Sequence, residues 1–176
     1  MKYLKQTNEL LEKFLISPSY DAPFPMAVFG TLRQIPKRSY NAGRMYRDGI
    51  EPLAHRVGFL PNVCPSGIWL EPKENCSGPF EIYFYTPEDW SKMIGSVDAL
   101  EGFFPGKQTG GYIRTLMKIR LLPKNYDLKV FNRGIGGELD LEIPPEDFSK
   151  YPIVPCWAYS NRVINKFAEE SVIWNG

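Results

Sequence analysis

The sequence predicts an α+β fold in which a small, mostly antiparallel β-barrel, a curved or closed sheet, is flanked by helices. Three observations predict it. Short apolar runs rich in β-branched and aromatic residues dominate the middle of the chain. Helical patterns are few and scattered, where a parallel βαβ sheet would alternate them regularly with strands. The chain has 176 residues, 43% hydrophobic and 23% charged, the profile of one compact soluble domain over residues 1–176, with no repeat and no domain boundary. A chain of this size buries about 70% of its unfolded surface, so a core needs neither disulfide nor metal.

Leu4, Leu11, Phe14 and Leu15 fall at helical spacings within Lys2 to Ile16, which predicts an amphipathic helix inside an N-terminal extension of residues 1–25. Ser17, Pro18 and Pro23 interrupt it. Met26-Ala27-Val28-Phe29 reads as a strand stopping at Gly30, and Thr31 to Gly43 as a polar functional loop. Further strands are expected over Leu53 to Leu60, Gly67 to Leu70, Phe80 to Tyr85, Tyr112 to Leu122, Leu128 to Phe131 and Val154 to Tyr159. Thr86-Pro87-Glu88-Asp89 offers an N-cap, a proline for the first helical position and acids for the first turn, while Gly102 is a natural terminator. That predicts a helix from Pro87 to Glu101. Val163, Ile164, Phe167 and Val172 predict a last helix from Asn161 to Trp174, packed across the sheet. Asn132 to Gly137 reads as a long turn, and Pro123 to Pro155 as an insertion.

Composition excludes several functions. With 21 basic against 20 acidic residues, a net charge of +1 supplies no global field for nucleic acid or an anionic membrane. The three cysteines, Cys64, Cys76 and Cys156, are far apart, and the single His55 has no partner at metal-ligand spacing, so a zinc site made of Cys and His is not expected. No secretory leader and no run near the roughly 20 apolar residues of a membrane span is visible, which points to the cytoplasm.

On a helical wheel centred on Trp90, Met93, Ile94 and Val97 fall within roughly 60° and Glu101 about 20° away. Glu101 therefore lies in the middle of the apolar arc. A carboxylate there must find a partner such as Arg114 or Lys118, swing into water, or sit in a pocket with its pKa raised by desolvation and by the helix C-terminus. Gly30-Thr31-Leu32 is either a plain turn or a site where backbone N–H groups meet a substrate oxygen. Arg33, Lys37 and Arg38 are a solvated face or, alternatively, contacts for a substrate carboxylate. His55 reads as an ordinary strand residue, and Trp69, Trp90, Trp157 and Trp174 as core anchors.

Three motifs in order carry a resemblance. They are Val28-Phe29-Gly30-Thr31-Leu32-Arg33, then Val97-Asp98-Ala99-Leu100-Glu101-Gly102 with Tyr112-Ile113-Arg114 downstream, then Cys156-Trp157-Ala158-Tyr159. From about Met26 to Tyr159 the chain resembles the gamma-glutamylcyclotransferase-like superfamily, in particular its gamma-glutamylamine cyclotransferase type. The resemblance implies a small β-barrel with a cavity between the Gly30 loop and the end of the Glu101 helix. It implies a cofactor-free enzyme that converts a small γ-glutamyl compound to 5-oxoproline plus a free amine or amino acid. Glu101 would be the general acid/base, and Phe29, Gly30, Thr31, Leu32, Arg33, Tyr112 and Tyr159 would hold the substrate. Tyr112 and Tyr159 are pocket walls on this reading and simple packing residues on the other.

The chain departs from the family in having Phe29 where Tyr is commoner, a glycine-rich stretch from Gly102 to Tyr112, and the insertion. These departures favour the alternative, a binding protein that uses the same pocket to sequester a small molecule or to hold a protein partner. No Ser/His nucleophile motif supports acyl-enzyme chemistry.

Overall fold

The computed structural model describes residues 2–30, 32, 44–46, 49–66, 69–107, 112–124, 126, 141, 143–161 and 169–176, with the backbone alone for Pro65, Ser66, Trp69 and Asn161. Helix α1 is Lys2–Ile16, followed by strands β1 (Met26–Val28), β2 (Ala54–Ser66) and β3 (Trp69–Phe84). Helix α2 is Pro87–Glu101, β4 is Tyr112–Leu121, a 3-10 helix spans Pro145–Lys150, β5 is Ile153–Asn161 and β6 is Val172–Trp174. No helix among the described residues is long and apolar enough to cross a membrane.

The strands form one sheet in the order β2-β3-β1-β5-β4-β6, and β2 also pairs with β4. That last pairing closes β2, β3, β1, β5 and β4 into a barrel, with β6 attached outside the ring on β4. Pairing is antiparallel throughout except between β1 and β5. The fold is therefore the small α+β barrel that the pattern of short strands and scattered helices predicts.

Closure depends on Gly58. It pairs with Leu121 at the β2–β4 seam, where a Cβ would lie 2.6 Å from the Arg120 carbonyl oxygen and 2.7 Å from Ile82 Cδ1. A strand glycine marks a close backbone approach. The β2–β3 hairpin shifts register between Pro61 and Val63, where Asn62 takes a φ of 59°, a conformation Asn tolerates better than most residues. Asn62 Oδ1 accepts from the Asn75 backbone N–H across the hairpin at 3.0 Å.

Alternation along the strands sorts the core. Ala27, Phe29, Phe80, Ile82, Met117 and Cys156 belong to the cluster that fills the barrel. Their neighbours Met26, Val28, Tyr83, Leu116, Trp157 and Tyr159 point outward into a second cluster roofed by α1 and α2. Phe14 of α1 is 3% exposed, a burial worth about 2 kcal/mol, and meets Phe24, Trp157 and Trp174 edge-on. Leu15 is 60% exposed instead, because the buried stripe of α1 is centred on Phe14 and the adjacent position turns about 100° away. Trp90 and Trp157 are buried and Trp174 packs against them, as core anchors should.

The helix expected from Asn161 to Trp174 is corrected at both ends. Asn161 closes β5 opposite Tyr112, and Val172–Trp174 is strand β6, pairing with Leu116 and Met117. Its β-branched and aromatic residues satisfy an edge of β4 that local periodicity cannot see. Residues 162–168, like the expected strand at 128–131 and turn at 132–137, lie outside the described residues. In the segment read as an insertion, Leu141 and Ile143 join Val57, Phe59 and Leu122 in a third cluster on the barrel wall, and Ile153 to Pro155 are part of β5.

Candidate active site at the end of the second helix

Helix α2 is fixed at both ends. Thr86 Oγ1 accepts from the Asp89 backbone N–H at 3.1 Å with Pro87 in the first turn, and Gly102 stops the helix at a φ of 67°. The Phe103 N–H then reaches back to the Asp98 carbonyl at 2.9 Å. Trp90, Met93 and Val97 bury the helix against the outer barrel face, as the wheel predicts. Glu101 follows on the same side at the last helical position, half-buried.

Neither Arg114 nor Lys118 takes Glu101. Arg114 is 2% exposed and pairs with Asp98, one turn earlier: Nε lies 2.9 Å from Oδ1, and Nη2 donates to Oδ2 at 3.1 Å. Nη1 donates to the Tyr20 carbonyl at 2.8 Å. The guanidinium is boxed by the rings of Tyr20, Trp90, Phe103 and Trp157, the last 4.8 Å from its carbon. The Tyr159 hydroxyl donates to Asp98 Oδ1 at 2.6 Å. Glu101 has no hydrogen-bond or ion-pair partner among the described residues.

The electrostatics follow from this arrangement. Burial, and secondarily the Asp98 carboxylate, push Glu101 from an ordinary 4.5 up to about 7. Burial and then the Glu101 charge push the Tyr112 hydroxyl up to about 12. Burial, and then the Asp98 carboxylate, raise the Tyr159 hydroxyl well above its ordinary range, and it remains a neutral donor. Burial also raises Asp98, opposed by Arg114 and the Tyr159 hydroxyl. A carboxyl group that takes and releases a proton near neutrality is what this site supplies chemically.

The structure thus brings Glu101, Tyr112 and Tyr159 together. Leu32 is 3% exposed and belongs to the same large cluster as Val97, Phe103 and Tyr159. Gly30 sits at a bend two residues after the end of β1, and a Cβ there would meet nothing within 4 Å among the described residues. Phe29 is not brought to the Glu101 group: its ring points into the barrel, 7% exposed, edge-on to Phe80. Thr31, Arg33, Lys37 and Arg38 lie outside the described residues, as does the Trp69 side chain.

Asp98, Arg114 and Tyr20 are the members that motif reading did not assign. A signal existed for two of them, since Asp98 shares the helical face of Glu101 and a buried Asp demands a cation. Tyr20 lies in a proline-flanked connector and carries no such signal. Away from this site, His55 is a strand residue whose ring stacks on Tyr83 and whose Nε2 lies 2.7 Å from the buried Glu81 carboxylate. A groove of about 520 Å³ between α1 and the start of α2, lined by Tyr3, Leu10, Phe84 and Pro87 among others, is roughly 20 Å along the helix from Glu101. No three His, Cys, Asp or Glu side chains among the described residues gather as a metal would require. No protein-family model, no curated protein and no solved structure matches the chain.

Proposed function

We propose that the chain is a gamma-glutamyl cyclotransferase of the gamma-glutamylcyclotransferase-like type, with Glu101 as its single general acid/base. The observation that carries this reading is a half-buried carboxyl group, unpaired among the described residues, that burial pushes up to about 7 at the capped end of α2. The α-nitrogen of a γ-glutamyl compound is an ammonium near pH 7 and cannot attack. Glu101 as carboxylate removes one proton, and the freed lone pair attacks the γ-carbonyl carbon. As the new ring C–N bond forms, the old one breaks and the carboxyl group delivers its proton to the departing nitrogen. The second proton lost by the ring nitrogen follows through the restored carboxylate, so the products are 5-oxoproline and an ammonium ion.

Main-chain N–H groups at Gly30 to Leu32 would hold the carbonyl oxygen as it gains charge. Tyr112 and Tyr159 would wall the pocket. The substrate class is a small γ-glutamyl amine, amino acid or peptide, with no metal or other cofactor. Incubation of the purified protein with a panel of γ-glutamyl compounds, read for 5-oxoproline by mass spectrometry, tests the reading. Release of 5-oxoproline by the wild type and its loss in Glu101→Gln are the expected results.

A further inference from the structure

Asp98 and Glu101 stand three residues apart on one face of α2, the spacing at which helix side chains are neighbours. Both oxygens of Asp98 are occupied by donors. Oδ1 faces Arg114 Nε and the Tyr159 hydroxyl, and Oδ2 faces Arg114 Nη2. The Tyr159 hydroxyl could turn to accept from a protonated Asp98, but the guanidinium has no acceptor to offer and pairs best with a carboxylate. The pairing with Arg114 favours the ionised form.

Arg114 pairs with Asp98. Its guanidinium is held among four aromatic rings and the Tyr20 carbonyl, and the charge that Glu101 feels is that of Asp98. Besides these two acids, the titratable or charged groups around Glu101 among the described residues are Tyr112 and Arg114 on β4 and Tyr159 on β5, with Tyr20 from the connector bonded to Arg114. The two tyrosines nearest Glu101 have hydroxyls raised above their usual range and stay neutral wherever a carboxyl group titrates. A buried ion pair is weak evidence for stability in itself, since apolar residues of equal volume often serve as well.

We infer that Asp98, kept ionised by Arg114 and Tyr159, is a positioning residue: a fixed buried negative charge, one turn from Glu101, that adds to the effect of burial in keeping the proton on Glu101. This inference rests on the reading of Glu101 as the acid/base.

The test follows the side-chain carboxyl carbons of Asp98 and Glu101 by NMR across pH 4 to 9, in the wild type and in Asp98→Asn. In the wild type, Asp98 should already be ionised while Glu101 titrates near 7. Titration of Asp98 together with Glu101, or above it, overturns the inference without any variant. In Asp98→Asn the Glu101 midpoint should fall by up to about one pH unit, at most a roughly tenfold weaker hold on the proton, and the acid limb of the kcat/KM profile should move with it. The double variant Asp98→Asn/Arg114→Met leaves no unpaired buried charge, and the same fall is expected there if the single variant does not fold. A midpoint that stays near 7 in either folded variant overturns the inference. The cyclotransferase reading fails separately, if the wild type releases no 5-oxoproline while the two carboxyl groups titrate as stated.

Discussion

Glu101 holds its proton at pH values where an unfolded glutamate has released it, and that difference must appear in stability. The folded-state pKa of about 7 lies above the ordinary 4.5, so the native state binds more protons than the unfolded state between these values. Stability conferred by this group is present below about 4.5 and is lost as pH rises through about 7. At about 1.4 kcal/mol per pH unit the loss reaches about 3 kcal/mol at most. Glu101→Gln is therefore expected to unfold at higher denaturant than wild type at pH 8, by about 1 to 3 kcal/mol, and to match it at pH 4. Equal midpoints at both pH values would mean a carboxyl group in water. Gly30 gives a second forecast at this scale. A Cβ there meets open space among the described residues, so Gly30→Val should keep the melting temperature within a few degrees while its side chain blocks a substrate oxygen and lowers kcat/KM at least tenfold. Full activity in this variant would remove the turn from the site.

Helix α2 illustrates how local chemistry becomes a site. Its two caps should separate stability from function. Thr86→Ala removes one N-cap hydrogen bond and should cost about 1 kcal/mol with turnover unchanged. Gly102→Ala forces an L-residue into a left-handed conformation for a similar or slightly larger cost, about 1 to 2 kcal/mol. Because Gly102 adjoins Glu101, turnover should fall there as well. Melting curves and kcat for the pair check this, and equal turnover in both variants would detach the helix end from the chemistry. These caps are also why α2 was legible from sequence to its terminal residues, and why Glu101 could be placed on the apolar arc. The C-terminal segment was not legible in the same way. Val163, Ile164, Phe167 and Val172 keep a helical period, yet Val172 to Trp174 pair with a distant strand, and no window of sequence contains that partner. The Asp98–Arg114 bond spans 16 residues and joins a helix to a strand, so the wheel exposed the acid but not the base that answers it.

At the scale of the whole molecule, the barrel supplies the floor on which α2 lies, and its closure depends on a residue remote from Glu101. β1, β4, β5 and the first half of β2 could be read from their composition, but the β2–β4 seam is a pairing between segments some 60 residues apart and leaves no local trace beyond one glycine in a strand. Gly58→Ala would push a methyl group against the Arg120 carbonyl and the side chains of Ile82 and Ile119. A loss of about 1 to 3 kcal/mol is expected, seen as a lower denaturation midpoint, with residual activity following the folded fraction. Unchanged stability would mean that the seam relaxes freely. The barrel, the capped helix and the buried Asp98–Arg114 pair converge on one carboxyl group poised near neutral pH, and the central claim is that this group cyclises γ-glutamyl compounds. The most direct measurement is 5-oxoproline release by wild type and Glu101→Gln side by side, with folding of both confirmed by circular dichroism. The account predicts product from the wild type and a fall in kcat of at least about 10² to 10⁴ in the variant. Near-normal turnover in Glu101→Gln, or a folded wild type that binds a γ-glutamyl ligand without releasing 5-oxoproline, would contradict it.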